Sequence, residues 1–140
     1  MPEDVGRLSG NPLVVHYAPQ IDLLRRASVT VTHAGINTTL ESLSAGVPLV
    51  AIPLGDDQPG VASRIEWTGT GTMIRLMTLS PARLRDAIEQ ALHGPSHHRA
   101  AQAMRTTIQN SRGVQRAADI VERVLGTAVV FDDRPCTCRC

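Results

Sequence analysis

Residues 33–41 concentrate hydrogen-bonding side chains at a point where a strand is predicted to turn into a helix. The segment carries the imidazole of His33, the amide of Asn37, the hydroxyls of Thr38 and Thr39, and the carboxylate of Glu41. Gly35 lets the backbone turn tightly. Free N–H groups and the positive end of the dipole at a helix start attract phosphate. The carboxylate about one turn later can accept hydrogen bonds from sugar hydroxyls. The segment therefore predicts a site for a nucleotide or a nucleotide-sugar.

The elements that must position this segment can be predicted from local patterns. Residues 28–32 alternate with the period of a strand. Residues 38–45 bring Leu40 and Leu43 to one side of a helix, which Gly46 and Pro48 close. A strand followed at once by a helix is the arrangement that a phosphate-binding turn needs.

The rest of the chain continues the alternation of strands and helices. The predicted elements are a buried strand in residues 12–17, a helix in 21–26, a buried strand in 49–52, a loop in 55–60, a helix in 61–68, a strand in 73–76, and helices in 80–94, 97–111 and 114–125. This order favours an α/β fold with a doubly wound parallel sheet. Ligands of such sheets bind beyond the carboxyl ends of the strands. Residues 17–20, 33–38 and 53–58 are predicted to meet at that edge.

Length and composition restrict the classes of protein. A chain of 140 residues predicts one domain, and the net charge of +1 gives no reason to expect nucleic acid or a membrane surface as partner. No apolar run is long enough to span a membrane, and no signal peptide is evident, so a cytoplasmic protein is expected. The cysteines are Cys136, Cys138 and Cys140, and their C-x-C-x-C spacing without partner ligands is a weak match to a zinc site, so a disordered tail is expected.

The ordered set of motifs resembles the sugar-donor signature of family 1 glycosyltransferases, the UDP-glycosyltransferase superfamily. The matching residues are Tyr17-Ala18-Pro19-Gln20, residues 32–38, Glu41, Gly46-Val47-Pro48, Pro53 and Asp57-Gln58. The resemblance covers about residues 12–125. Residues 57–62, followed by Trp67-Thr68-Gly69, are most similar to bacterial macrolide- and carotenoid-type members.

The resemblance implies a role for each matching residue. Four groups follow from it: His33, Gly35, Asn37 and Thr38 at the diphosphate; Glu41 and Gln20 at the ribose; Tyr17 and Ala18 at the base; Asp57 and Gln58 at the transferred sugar. The ligand would be a UDP- or dTDP-sugar, bound as a substrate. No cofactor, metal ion or nucleic acid is expected.

The resemblance also implies the architecture. Family members have two Rossmann-like domains that face a cleft, the GT-B fold, and the C-terminal domain binds the donor. The small lipophilic acceptor and the catalytic base, usually a histidine, belong to the N-terminal domain. We therefore expect residues 12–125 to form an incomplete C-terminal half that is truncated at its N-terminal side, with no catalytic residue of its own and no transfer activity alone. Residues 1–11 are expected to be an irregular N-terminal segment, and residues 126–140 a disordered tail.

Two other functions remain open at this point. The chain could be a nucleotide-sugar-binding module without catalysis, or an isomerase of the sugar 2-epimerase kind, which shares the two-domain fold. Asp57 and Gln58, with the Pro19-Gln20 pair, favour the transferase over the epimerase. His97 and His98 are predicted to lie on a solvated helix face, because no further metal ligands are near them in the sequence.

Overall fold

The structure is a computed structural model that describes residues 10–126. In chain order its elements are α1 (Gln20–Leu24), β1 (Thr30–Thr32), α2 (Ile36–Ala45), β2 (Leu49–Ala51), α3 (Gln58–Trp67), β3 (Gly71–Met73), a 3₁₀ helix (Leu76–Thr78), α4 (Pro81–His93), α5 (Pro95–Asn110) and α6 (Gly113–Leu125). The chain forms two units, Met1–Gln109 and Asn110–Cys140, and α6 belongs to the second. The cysteine tail and most of the segment predicted to be irregular at the N-terminus lie outside the described residues.

The sheet of the first unit consists of three parallel strands in the order β1–β2–β3. Thr32 lies opposite Ala51, and Ala51 lies opposite Met73, so the strands end at one edge. Neighbouring parallel strands need a crossover connection, which α2 and α3 provide. The predicted edge therefore exists, and the segments after β1 and β2 both leave from it.

Alternating residues of β2 face two separate hydrophobic clusters. Leu49 and Ala51 pack with residues of α2, α3 and α5, among them Leu43 and Ile65. Val50 packs instead with residues of α4 and with Ile74. Helices therefore cover both faces of the sheet, which confirms the doubly wound α/β fold. Because side chains on both faces of β2 are buried, each of its residues is apolar, and the sequence of the strand is a continuous apolar run.

The pairing of β2 with β3 is very close at Gly71. A Cβ atom built on Gly71 would lie 2.0 Å from the carbonyl oxygen of Leu49 and 2.9 Å from a side-chain carbon of Ile65. No side chain fits in that space without moving the backbone. Gly71 therefore sets the distance between the two strands and the helix above them.

Two predicted helix ends are confirmed. The left-handed conformation of Gly46, with φ of 76°, ends α2, and its N–H bonds back to the carbonyl groups of Ser42 and Leu43. At the start of α4, the hydroxyl of Ser80 accepts a hydrogen bond from the N–H of Arg83 at 3.3 Å. Pro81 follows as the first helical residue. Local sequence signals therefore fix both boundaries.

Two strand predictions were wrong. Residues 12–17 are irregular, and 86% of the surface of Leu13 is exposed. A strand needs a neighbour that takes its hydrogen bonds, and among the described residues β1 pairs with β2 alone. The strand predicted in residues 73–76 is observed earlier, as β3 (Gly71–Met73), because these residues pair with the backbone of β2. Residues Leu76–Thr78 form a 3₁₀ helix instead.

The sequence predicts one apolar face at Leu23 and Leu24 in the helix of residues 21–26, and another at Ala117, Ile120, Val121 and Val124 in the helix of residues 114–125. Both predicted faces differ from the observed ones. In α1, Leu24 is buried but 51% of Leu23 is exposed, because consecutive residues of a helix point in directions about 100° apart. The helix predicted in residues 114–125 is confirmed as α6, yet Ile120, Val121 and Val124 are exposed. None of the helices described between residues 10 and 126 has the length and apolarity required to span a bilayer.

Candidate functional site

The turn between β1 and α2 has an unusual backbone conformation. Ala34 has φ of 68°, in the left-handed region, although it is not a glycine and its side chain is fully buried. Its N–H donates a hydrogen bond to the Thr32 hydroxyl at 3.3 Å. A left-handed alanine costs about 1–2 kcal/mol, so the packing and hydrogen bonding around the turn maintain it. The chain leaves this turn directly into α2, which begins at Ile36.

The helix begins two residues earlier than predicted, at Ile36, so Asn37 and Thr38 lie in its first turn. Gly35 is the N-cap residue and has no side chain with which to cap the helix start, and no other side-chain cap is seen within residues 10–126. The N–H groups at the start of α2 are therefore available to a ligand, with the positive end of the helix dipole behind them. This is the arrangement that an anion requires.

His33 lies beside this helix start. Its Nε2 atom is 2.7 Å from the position that a Cβ atom on Gly35 would occupy, so the ring packs against the glycine α-carbon. The side chain is exposed and can contact a ligand. The absence of a side chain at Gly35 is what allows the imidazole to lie there.

Gln20 joins α1 to the first two turns of α2. Its side-chain amide donates to Oε2 of Glu41 at 2.5 Å and to the hydroxyl of Thr38 at 3.3 Å. The structure therefore brings together three of the side chains predicted for the ribose and the diphosphate: Gln20, Thr38 and Glu41. The amide orients the Glu41 carboxylate, which is half-buried.

The pocket beside Glu41, with a volume of about 540 Å³, is also lined by Arg25 and Arg105. The ion pair that the structure shows for Arg25 is with Asp22, at 3.4 Å. Glu41 is therefore near positive charge as well as near the helix start.

Ser42 supports the same turn and was not predicted as part of the site. It is fully buried, and its hydroxyl donates to the carbonyl of Thr38 at 2.8 Å and lies 3.1 Å from the Thr30 hydroxyl. These contacts tie the first turn of α2 to β1. A serine four residues after Thr38 is the signal for the helical contact, but the contact with β1 depends on the fold.

The segment after β2 brings Asp57 and Gln58 to the start of α3. The side-chain oxygen Oε1 of Gln58 accepts hydrogen bonds from the backbone N–H groups of Leu54 at 2.8 Å and Gly55 at 3.2 Å. Because both neighbours are donors, the atom facing them must be the amide oxygen, which leaves the amide nitrogen for a ligand. Asp57 is exposed at the N-cap position of α3.

Tyr17 and Ala18 lie in a different place. They line a groove of about 490 Å³ beside β1, together with Val29, Val31 and Gln20. Tyr17 is 84% exposed. Because the strand predicted before it does not form, these residues do not leave the sheet edge with the other two segments. Gln20 lines this groove and also contacts Thr38 and Glu41 of α2.

His97 does not lie on a solvated face as predicted. Its Nδ1 atom is 2.9 Å from the carbonyl oxygen of Gly69, and the side chain is half-buried. It joins the start of α5 to the turn before β3, and His98 contacts the carbonyl of Leu92 at 3.3 Å. Within the described residues, no group of three His, Cys, Asp or Glu side chains is arranged to hold a metal ion.

These observations define a class of protein: a Rossmann-like parallel α/β domain with an open helix start and a cluster of polar side chains at one sheet edge. Known proteins identify it further. The sequence profile of the family described as UDP-glucoronosyl and UDP-glucosyl transferase matches residues 2–120. The chain belongs to this glycosyltransferase family, which confirms the resemblance.

Individual relatives agree with that assignment. The chain is 35% identical over 129 residues to the NDP-glycosyltransferase YjiC of Bacillus licheniformis, covering 92% of this chain and 33% of the relative. It is 37% identical over 125 residues to a zeaxanthin glucosyltransferase of Pantoea ananas, covering 89% of this chain and 28% of the relative. The chain thus spans about a third of the length of these relatives.

Solved structures show the same fold. The glycotransferase of kitacinnamycin superimposes with a TM-score of 0.80 at 33% identity, over 88% of this chain and 32% of the other. The glycosyltransferase VinC, solved in complex with dTDP, superimposes with a TM-score of 0.75 at 27% identity, over 84% of this chain and 31% of the other. The chain therefore has the fold of part of a GT-B glycosyltransferase.

Proposed function

We propose that this chain is the donor-binding part of a glycosyltransferase that transfers a hexose from a UDP- or dTDP-sugar to a small lipophilic acceptor. The observation that carries the proposal is the uncapped start of α2, flanked by His33 and followed one turn later by Glu41. The family assignment and the dTDP bound to VinC favour a nucleoside diphosphate over other anions. The same match to transferases disfavours the epimerase alternative.

The diphosphate would bind at the first turn of α2. Backbone N–H groups of this turn, the Thr38 hydroxyl and the His33 imidazole would each donate to phosphate oxygens. A hydrogen bond to a charged group contributes about 1.5–3 kcal/mol, and the helix terminus adds about 0.3–1 kcal/mol. These contacts also stabilise the negative charge that grows on the departing diphosphate.

The sugars would lie on either side of the diphosphate. The Glu41 carboxylate, oriented by Gln20, would accept from the ribose hydroxyls. Asp57 and Gln58 would bind the transferred hexose, Asp57 as an acceptor and the Gln58 amide nitrogen as a donor. Tyr17 and Ala18 would contact the base. Tyr17 is exposed in its groove and so can offer a face for stacking.

Calorimetric titration with UDP tests the proposal. We expect binding that His33→Ala weakens by about 1.5–3 kcal/mol, the contribution of a charge-assisted hydrogen bond. His93→Ala is the matched control, because His93 is exposed at the end of α4, and it should leave the affinity unchanged. Equal UDP affinity of the parent chain and His33→Ala would show that His33 does not contact the diphosphate.

Transfer itself needs an acceptor and a base held opposite the donor. We propose that both belong to an N-terminal acceptor domain, as in the family, and that the 140-residue chain alone hydrolyses the donor slowly at most. A family N-terminal domain, fused or added separately, should restore transfer. Robust transfer by the purified 140-residue chain would contradict this assignment of roles.

A further inference from the structure

Gln20, the first residue of α1, makes two hydrogen bonds with one side-chain nitrogen. Its Nε2 atom lies 2.5 Å from Oε2 of Glu41 and 3.3 Å from Oγ1 of Thr38. A carboxylate only accepts hydrogen bonds, so the atom that faces Glu41 must be the amide nitrogen and not the amide oxygen. An amide nitrogen carries two hydrogens, and these two contacts use both of them. Gln20 therefore has no donor left for a ligand.

The hydroxyl of Thr38 accepts the second of these bonds and donates none within residues 10–126. Other hydroxyls in the helices of the chain behave differently. Those of Ser42, Thr106 and Thr107 each donate to the carbonyl oxygen four residues earlier, at distances of 2.8 to 3.2 Å. The proton of the Thr38 hydroxyl is therefore available to a ligand, whereas the protons of these three are not.

Backbone donors lie beside that hydroxyl. The first hydrogen bond of α2 runs from the N–H of Thr39 to the carbonyl of Gly35, at 3.0 Å. The N–H groups of residues 36–38 precede it, so the helix offers them no carbonyl. Thr38 thus presents its N–H and its hydroxyl proton at the same helix start. Because the hydroxyl already accepts a bond from Gln20, its own proton must point away from that amide.

The bond to Glu41 has a matching effect on the carboxylate. Gln20 occupies part of Oε2 and fixes the rotation of the carboxylate, which leaves Oε1 for hydroxyl groups of a ligand. Glu41 lies three residues after Thr38, so both side chains are neighbours on one face of α2. One amide group therefore orients an acceptor and a donor at the same time.

We infer that Gln20 is a positioning residue that couples the ribose and diphosphate parts of the proposed nucleotide site, and that it does not donate to the nucleotide itself. The inference rests on the proposed function, because it concerns the same site. Gln20 acts on the ribose through Glu41 and on the diphosphate through Thr38. Loss of its amide should therefore weaken a diphosphate that has no ribose at all.

Inorganic pyrophosphate is the probe that tests this coupling in calorimetric titrations of the full chain. Gln20→Met keeps the length of the side chain without its hydrogen-bonding groups, and it should weaken pyrophosphate binding by about threefold to tenfold, the effect of one net hydrogen bond. In a Thr38→Val chain the same substitution should change nothing, since the bond that it removes is already absent. Thr38→Ser keeps the hydroxyl and should retain the dependence on Gln20.

Uridine, which has no phosphate, tests the other half of the site. Gln20→Met should weaken uridine binding by about threefold to tenfold in the parent chain, and should have no effect in Glu41→Ala. Gln90→Met is the matched control, because Gln90 is an exposed glutamine of α4, and it should leave all of these affinities unchanged. Circular dichroism confirms that each variant is folded.

Three outcomes would overturn the inference while UDP binding, and with it the proposed function, stands. A loss for uridine without a loss for pyrophosphate would make Gln20 a direct ribose ligand. Equal losses of pyrophosphate affinity in the parent and Thr38→Val chains would mean that Gln20 acts through the placement of α1. A parent chain that binds UDP but not pyrophosphate would show that the helix start is not prepared for phosphate. Failure of the parent chain to bind UDP would overturn the proposed function and this inference together.

Discussion

The imidazole of His33 lies against the α-carbon of Gly35, with Nε2 2.7 Å from where a methyl group on that glycine would be. The two residues therefore cannot both keep their places if residue 35 has a side chain. The φ of Gly35 is −61°, a value open to any residue, so the requirement for glycine comes from the ring and not from the backbone.

Gly35→Ala should therefore displace His33 without unfolding the turn. We expect it to weaken UDP binding by about 1.5–3 kcal/mol, the same amount as His33→Ala, because both remove one charge-assisted contact. Calorimetric titration measures this loss. The double variant should bind no more weakly than either single variant, since residues in contact are not additive.

The control for this comparison is Gly55→Ala, because a Cβ atom on Gly55 would meet nothing within 4 Å. Its UDP affinity should match that of the parent chain. Fully additive losses in the double variant at positions 33 and 35 would show that the glycine acts independently of the histidine.

Glu41 should distinguish ribose from deoxyribose. Its carboxylate can accept from two neighbouring hydroxyls, so Glu41→Ala should weaken UDP by about tenfold more than 2′-deoxy-UDP, the value of one hydrogen bond to a charged group. Titration of both ligands against both chains gives the comparison. Glu89→Ala, on the exposed surface of α4, serves as the control. Equal losses for the two nucleotides would make Glu41 structural, for example as a partner of Arg25 or Arg105.

Gln58 should have two separable functions. Gln58→Glu keeps an oxygen for the N–H groups of Leu54 and Gly55, whereas Gln58→Leu keeps none. Amide hydrogen exchange at those two residues should therefore speed up in Gln58→Leu by about tenfold, as expected for losing one net hydrogen bond. It should remain slow in Gln58→Glu.

The sugar contact of Gln58 should respond differently. Both variants lack the amide nitrogen, so both should lose any extra affinity that UDP-glucose has over UDP. If Gln58→Glu retains that difference, the amide nitrogen does not contact the sugar and the loop-ordering role is its only one.

Ser80 should stabilise the first unit through the start of α4. Ser80→Ala removes the hydrogen bond to the N–H of Arg83 and should lower the free energy of unfolding by about 0.5–2 kcal/mol. Thermal unfolding monitored by circular dichroism measures this. Ser63→Ala, which removes a hydroxyl bonded to the Pro59 carbonyl and no cap, should change it by less than about 0.5 kcal/mol. A larger effect at Ser63 than at Ser80 would contradict the capping assignment.

Features that depend on neighbouring residues could be predicted from the sequence. Gly46 and Ser80 mark helix ends because their conformations and hydrogen bonds are local. The buried strand β2 was found because both of its faces are covered, which makes every residue apolar. The position of the polar turn followed from these elements.

Features that depend on distant partners could not be predicted. The apolar run Leu13-Val14-Val15 looks like β2 in composition, but pairing decides whether a segment is a strand. The contact of Gln20 with Glu41 requires α1 to lie beside α2. Only the family resemblance placed these two residues together. The roles of the site residues in binding stay predictions until ligands are measured.

Gly71 has a consequence for the interpretation of mutational scans. Every replacement would place at least a methyl group 2.0 Å from the Leu49 carbonyl, so a library selected for UDP binding should retain glycine alone at position 71. Such invariance would look the same as that of a residue that touches the donor. An abundance screen run in parallel, such as a fluorescent fusion, would separate the two, because variants at position 71 should lose cellular protein whereas variants at His33 should lose only UDP affinity.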